Sequence, residues 1–386
     1  MLSRTRIFHR TDLAQLLAKR LLDPDVFQTT SRDGLFITGI RRIGKTTFLK
    51  QDLVPELRRR GALVIYADLW KQSGLPPYKA VLSAVQNAFI ELAGHSSVKE
   101  LKVSLPLVTM SFEPKKIGFP DGVPLADAFL ELMDIISTDI VLILDEIQET
   151  LKSESGRNLM MMLKAARDAV NLRDVNPKGT YLFIVGTGSH RSVVTAMTSR
   201  ASQPFYGADR IDFPVLGEDF VDWRMRQMAD APKLPDRETV MKGFRTLGFR
   251  PKALTQILGS IQDYPGEEID EAFLAVCDNQ ARLDAEEFLL PLRSEQLMVK
   301  LIFTEIAAAG EKGCRSLFSA DFRKRLTDNA GKSKEISSSV IQGKIAKLQK
   351  LDLIYPASYG SYAVSDPQAA RIWLRNLQDF LADPTY

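Results

Sequence analysis

The chain of 386 residues is poor in the side chains that build metal cages and covalent staples. Cys277 and Cys314 are its only cysteines, too few for a disulfide framework at this length, and read as buried or incidental thiols. His9, His95 and His190 lie far apart without metal-ligand spacing, so no zinc site is expected. Long apolar runs are also missing. The stretch "IVLILD" at 140–145 falls far short of the ~20 residues that span a bilayer. The start, "MLSRTRIFHRTDLAQ", is broken by charges where a secretory leader would be apolar. These absences point to a cytoplasmic protein without a membrane partner. No G-x-G-x-x-G run accompanies the one glycine-rich loop, which argues against hydride transfer on a dinucleotide.

A strong net charge is absent as well: +3 overall says nothing about partners. Its distribution says more. Residues 291–350 hold 12 Lys/Arg against 6 Asp/Glu, so a basic C-terminal region sits on a mildly acidic body. That pattern points to nucleic acid, or to a solvated helical surface. With 45% apolar and 26% charged residues the composition is that of a globular protein, and the length predicts two or three domains.

What is present is a phosphate cradle. "GIRRIGKTT" at 39–47 fits G-x-x-x-x-G-K-[ST], with Gly39, Gly44, Lys45 and Thr46 in the fixed places. A phosphate chain needs backbone N–H donors, a cation and a metal. The glycines allow close approach at a helix N-terminus, Lys45 reaches the β- and γ-phosphates, and the Thr46 hydroxyl, with Thr47 beside it, faces Mg²⁺. The frame is right, because "GLFITGI" (34–40) reads as a buried strand and "KTTFLKQDLVPELRRRG" as a helix, which Pro55 should kink and Gly61 should end. "ALVIYADL" (62–69), "IVLILDE" and "TYLFIVGTGS" (180–189) read as further buried strands between helical stretches, hence a parallel sheet. Residues 101–120, with three prolines, read as a hairpin insertion.

The second half of such a site is an apolar strand ending in acid. Asp145 can hold the water shell of Mg²⁺, and Glu146 can polarise an attacking water as general base. ATP binding and hydrolysis follow as expectations. At the tip of the third strand, Thr187 or Ser189 can touch the γ-phosphate or the water; alternatively Ser189 is the N-cap of the next helix. Beyond Gly217 the pattern turns helical to about Leu290, and "GFRPKAL" (248–254) places Arg250 and Lys252 where a closing lid brings them to a phosphate or leaves them exposed.

Together these residues resemble the archaeal-type P-loop ATPases, relatives of the origin-recognition initiator ATPases and of the STAND signalling ATPases. "GIRRIGKTTFL" is similar to their G-x-R-R-x-G-K-T loop, which implies that Arg41 and Arg42 accompany the bound phosphates. "LILDEIQ" resembles their D-E-x-Q strand end, and "IVGTGS" with "PFYGADR" their G-S and P-L-Y-G-R elements. "IFHRTDLAQL" (7–16) resembles the box that lies by the adenine. One position departs: Ala208 follows Tyr-Gly where the family has Arg, leaving Arg210 and Arg200 as candidates for an arginine finger.

The resemblance implies an α/β fold of the ASCE/AAA+ type. Its parts would be a P-loop core over 1–216, a small helical lid over 217–290 and a winged helix over 291–386. The C-terminal periodicity fits the last of these independently, with a third helix capped by Ser333, a polar face of Ser337, Ser338, Lys344 and Lys347, and a two-stranded wing in "YPASYGSYAVSDP". The expected function is an ATP-dependent switch acting on duplex DNA or a DNA-bound assembly, with a protein partner or self-assembly. A STAND-like signalling module whose winged helix docks protein is the rival reading, and a small-molecule kinase a distant third.

Overall fold

A computed structural model describes residues 7–23, 32–70, 76–94, 117–118, 122–173, 179–358 and 360–378. Apart from 117–118, the hairpin expected at 101–120 lies outside the described residues. The chain divides into two compact units. The first holds residues 1–39, 45–189 and 193–213; the second holds 40–44, 190–192 and 214–386.

The first unit is built on five parallel strands: β1 (Leu35–Thr38), β2 (Leu63–Asp68), β3 (Ile140–Asp145), β4 (Leu182–Gly188) and β5 (Asp209–Asp212), in the order β2-β3-β4-β1-β5. All six residues of β3 are buried, as its unbroken apolar run requires of a strand covered on both faces. Each fully buried Leu or Ile there contributes about 1.5–3 kcal/mol. Helices α1 (Thr11–Leu22), α2 (Lys45–Phe48), α3 (Val54–Arg59), α4 (Pro77–Gly94), α5 (Leu125–Ile136), α6 (Glu154–Asn171) and α7 (Arg191–Ser199) accompany the sheet. Phe89, Phe129, Leu132 and Leu163 from α4, α5 and α6 share one apolar core with Leu142 and Leu144 of β3.

Because every strand runs the same way, all the C-terminal tips lie on one edge. The register sets Asp68 beside Asp145, Leu144 beside Gly186, and Thr38 beside Gly188. β4 therefore stands between the strand that feeds the phosphate loop and the strand that ends in acid. The helix after the loop meets Pro55 by widening: Leu49–Leu53 is π-helical, and Val54 N–H bonds back to Leu49 O. Proline offers no N–H and crowds the preceding turn, and the wider turn accommodates both. Gly61, at φ +93°, follows the helix end in the left-handed conformation that glycine adopts without strain.

The second unit is helical: α8 (Glu218–Gln227), α9 (Arg237–Thr246), α10 (Pro251–Ser260) and the long α11 (Ile269–Arg293), followed by α12 (Leu297–Ala308), α13 (Ala320–Asn329), α14 (Ser338–Lys350), the antiparallel pair β6 (Ile354–Ser358) and β7 (Ser361–Val364), and α15 (Pro367–Arg375). α11 runs unbroken through position 290 with Pro291 in its last turn. Its Leu289 and Leu292 share one core with Phe303, Ile341, Ile345 and Trp373. The third helix of the C-terminal set starts later than its composition suggests. The Ser337 hydroxyl, not Ser333, caps it by accepting from Val340 N–H, because Gly331 turns left-handed at φ +62° and Ile336 is buried with its N–H on the Thr327 hydroxyl. Among the described residues no helix is long and apolar enough to cross a membrane.

Candidate functional site

Asp145 is the centre of the first unit's strand edge. Its carboxylate is 1% exposed and accepts three hydroxyls: Thr46 Oγ1 at 2.8 Å and Tyr66 OH at 2.6 Å, both to Oδ2, and Thr187 Oγ1 to Oδ1. The Thr46 bond joins positions 99 apart in sequence. Lys45, buried at the start of α2, donates to Gly39 O at 2.8 Å, so its ammonium folds back over the mouth of the loop. Within the loop, Arg42 (φ 68°) and Gly44 (φ 96°) take left-handed conformations of the kind that form anion-binding nests. Thr47 is exposed on the first turn of α2.

Glu146 follows β3 at φ 62°, a conformation that costs a non-glycine residue energy and is held by its surroundings. Its N–H meets the Thr187 hydroxyl at 3.3 Å. Its Oε2 accepts from Gln148 Nε2 at 2.5 Å, from Ser189 Oγ at 3.0 Å and from Ser189 N–H at 3.4 Å. All three of these bonds end on Oε2, which leaves Oε1 as an acceptor. Gly186 and Gly188 make this packing possible, since a Cβ at Gly186 would lie 2.6 Å from Phe36 and one at Gly188 2.6 Å from Val194 and 3.1 Å from Gln148 Oε1. The structure thus gives the two candidates on the third strand different partners, Thr187 with Asp145 and Ser189 with Glu146. Ser189 is no helix cap: α7 starts at Arg191, and the hydroxyl is turned to the carboxylate instead.

The arginines fall elsewhere. Arg210 is exposed on the edge strand β5 and donates to Thr195 Oγ1 at 2.8 Å, while Arg200 is exposed just past α7. In the second unit, Arg42 pairs with Asp284 at 3.2 Å and Glu287 at 3.3 Å. Arg250, 5% exposed, donates to the same Asp284 at 3.0 Å and to Asp366 at 2.5 Å. Arg42, Arg250, Lys252, Gln256 and Gln280 line a cavity of about 240 Å³ with Asp284. Arg41 donates to His190 Nε2 at 2.5 Å, which leaves the imidazole proton on Nδ1, 3.3 Å from Asp352 Oδ2. Burial pushes the Asp352 carboxyl up to about 7, against the opposing pull of the Ser192 hydroxyl and the Arg41 guanidinium.

Three participants carried no motif. Tyr66 reaches Asp145 from β2, and the strand pattern of "IYADL" beside an acid-tipped strand is the signal that could have found it. Asp52, buried in the π-helical turn, clamps the segment before α1 by accepting from Arg10 N–H at 3.2 Å and pairing with His9 Nδ1 at 2.7 Å. The Arg10 guanidinium lies 4.5 Å over the Phe213 ring. Asp284 takes both Arg42 and Arg250. For a metal, the donor set is a buried carboxylate and a threonine hydroxyl. Among the described residues no cluster of three or more His, Cys, Asp or Glu forms a cage. Hard oxygen donors in small number suit Mg²⁺, which keeps most of its waters and takes phosphate oxygens as ligands.

No protein-family model matches the sequence, and no curated protein matches it. Solved structures do match. A Walker-type ATPase of Pyrococcus abyssi superposes with a TM-score of 0.60 at 19% identity, over 96% of this chain and 96% of that one. The ORC2 protein of Aeropyrum pernix, in its ADPNP-ADP complexes, superposes with a TM-score of 0.53 at 13% identity, over 97% of this chain and 94% of its own. The ADP form of the same protein gives 0.53 as well. The chain has the fold of the archaeal Walker-type and origin-recognition ATPases, along nearly its whole length.

Proposed function

We propose that this protein binds and hydrolyses ATP as a slow molecular switch, and that it acts on duplex DNA or on a DNA-bound assembly. The observation that carries the reading is the 2.8 Å bond between Thr46 and Asp145, with the Lys45 ammonium over Gly39 one residue before. It supports reading Lys45, Thr46 and the acid-tipped strand as one site. Lys45 would exchange the Gly39 carbonyl for the β- and γ-phosphates, and Thr46 and Asp145 would hold Mg²⁺, which would supply charge neutralisation on the phosphates. Glu146 takes the proton of the attacking water on Oε1 while Ser189 and Gln148 fix Oε2. Arg210 and Arg200, both exposed, are the candidates for an arginine supplied to a neighbouring copy. The test is Lys45→Ala in the full chain: the folded variant should lose ATP binding, and binding at wild-type affinity overturns the site.

The DNA part of the proposal rests on the basic stretch 291–350 and on the order of three helices and a hairpin at the C-terminus. One observation favours the rival, a winged helix that docks protein. Lys347 on α14 pairs with Glu295 at 2.6 Å, and Lys344 donates to Gln296 at 3.1 Å, so two of the cations expected to face phosphates are engaged within the unit. ATP turnover stimulated by DNA supports the first reading; turnover indifferent to DNA and changed by a protein partner supports the second.

A further inference from the structure

Tyr66 touches neither phosphate nor water in the proposed chemistry, yet it makes the 2.6 Å bond to the carboxylate on which the metal half of the site depends. It sits on β2, two residues before Asp68, and Asp68 stands beside Asp145 in the sheet register. The phenol therefore extends along the strand to the tip of β3. Its ring is held in turn: the Lys50 ammonium lies 4.9 Å over it and pairs with Asp68 at 3.2 Å. Lys50 belongs to the helix that begins at the phosphate loop, one turn beyond Thr46.

The lone pairs of Asp145 can be counted. A carboxylate oxygen offers two acceptor positions. Oδ2 receives both Thr46 and Tyr66, and Oδ1 receives Thr187, which leaves one open position, on Oδ1. Hydroxyl donors orient the carboxylate without cancelling its charge, as an arginine or lysine would. Thr46 and Thr187 alone, one on each oxygen, would let the plane swing and leave a position open on either side. The second donor on Oδ2 decides which oxygen is presented.

We propose that Tyr66 is a positioning residue for the divalent cation, fixing the Asp145 carboxylate so that Oδ1 alone faces the cation's water shell. The proposal rests on the nucleotide-site reading, and its test separates the two. The full chain and Tyr66→Phe are titrated with a fluorescent ATP analogue in EDTA, and the nucleotide complexes are then titrated with Mn²⁺ followed by electron paramagnetic resonance. Tyr66→Phe keeps the ring and should bind nucleotide in EDTA as the wild type does, but bind Mn²⁺ about tenfold more weakly, the scale of a lost hydrogen bond to a buried charge. Lys50→Met, a change at a partly exposed side chain, should weaken Mn²⁺ binding in the same direction by about twofold, since it frees the ring without removing the hydroxyl. Wild-type Mn²⁺ affinity in folded Tyr66→Phe overturns the proposal, and so does an equal loss in EDTA, which would make Tyr66 a packing residue. A wild-type protein that binds no nucleotide in EDTA or with Mn²⁺ overturns the site reading itself.

Discussion

Asp145 and Arg250 are both buried ions, and they are satisfied in opposite ways. In the first unit the carboxylate is held by three neutral hydroxyls, so its negative charge stays available to an incoming cation. In the second unit the guanidinium is answered by two carboxylates, Asp284 and Asp366, and Asp284 takes Arg42 as well. A charge held by dipoles is poised for chemistry; a charge held by countercharges serves chiefly to fix three elements, the starts of α10 and α15 and the middle of α11.

The largest effect should come from breaking the countercharged side. Arg250→Ala leaves Asp366 with backbone donors only and Asp284 with Arg42 and Gln280, and should lower the stability of the second unit by about 3–5 kcal/mol. A urea or guanidinium midpoint reads this directly. Arg42→Ala, at a side chain 56% exposed, is the control and should cost under about 1 kcal/mol. Equal losses in the two variants would erase the distinction between a buried clamp and a surface pair. On the other side of the comparison, Glu146→Gln should leave stability nearly unchanged and slow turnover by a factor on the order of 10² or more. Steady-state phosphate release measures it, and unchanged turnover moves the base elsewhere.

Smaller effects sharpen the same contrast. Asp352 is a half-buried acid whose carboxyl is raised to about 7 beside His190 Nδ1, Ser192 and Arg41. Its folded value lies above the ordinary carboxylate range of about 4, so the folded state binds the extra proton between those two pH values. Its contribution to stability is full below about pH 4 and is lost as pH rises through 7. Asp352→Asn should remove one proton's worth of that slope, seen as a flatter plot of unfolding midpoint against pH. The mildest test concerns the C-terminal cations. If α14 meets duplex DNA through Lys344 and Lys347, changing both to Glu should weaken binding on all sequences and flatten the log-log salt slope by about 1 for each phosphate no longer neutralised. ATPase without DNA should barely respond. No binding by the full chain with ATP at low salt transfers the C-terminal region to protein docking.

The sequence was most informative where spacing along the chain becomes geometry without help from distant parts. A phosphate loop and an apolar strand ending in Asp-Glu each imply a local shape. Parallel pairing then puts every strand tip on one edge, so the sequence alone brings Lys45, Thr46, Asp145 and Glu146 to that edge, with Thr187 and Ser189 left as alternatives on the third strand. Tyr66 and Asp52 carry no motif of their own because their roles depend on which strand neighbours β3 and on how the helix after the loop widens at Pro55, both tertiary outcomes. Ser189 and Ser337 show the same limit on a smaller scale. A serine before a helix is a candidate cap, but the choice between capping α7 and holding Glu146, or between Ser333 and Ser337, is made by what lies across from it. Composition was least informative. Twelve cations in 291–350 say nothing about which of them pair within the unit, and Lys347 does so with Glu295.

In the proposed mechanism one site binds ATP through Lys45, Thr46 and Asp145 and hydrolyses it through Glu146. It is tested most directly by incubating folded Glu146→Gln protein with ATP and Mg²⁺, separating it from free nucleotide, and identifying what remains bound. A single site of this kind predicts about one nucleotide per chain, recovered as ATP. Recovery of ADP at the wild-type rate, or of no nucleotide at all, would contradict it.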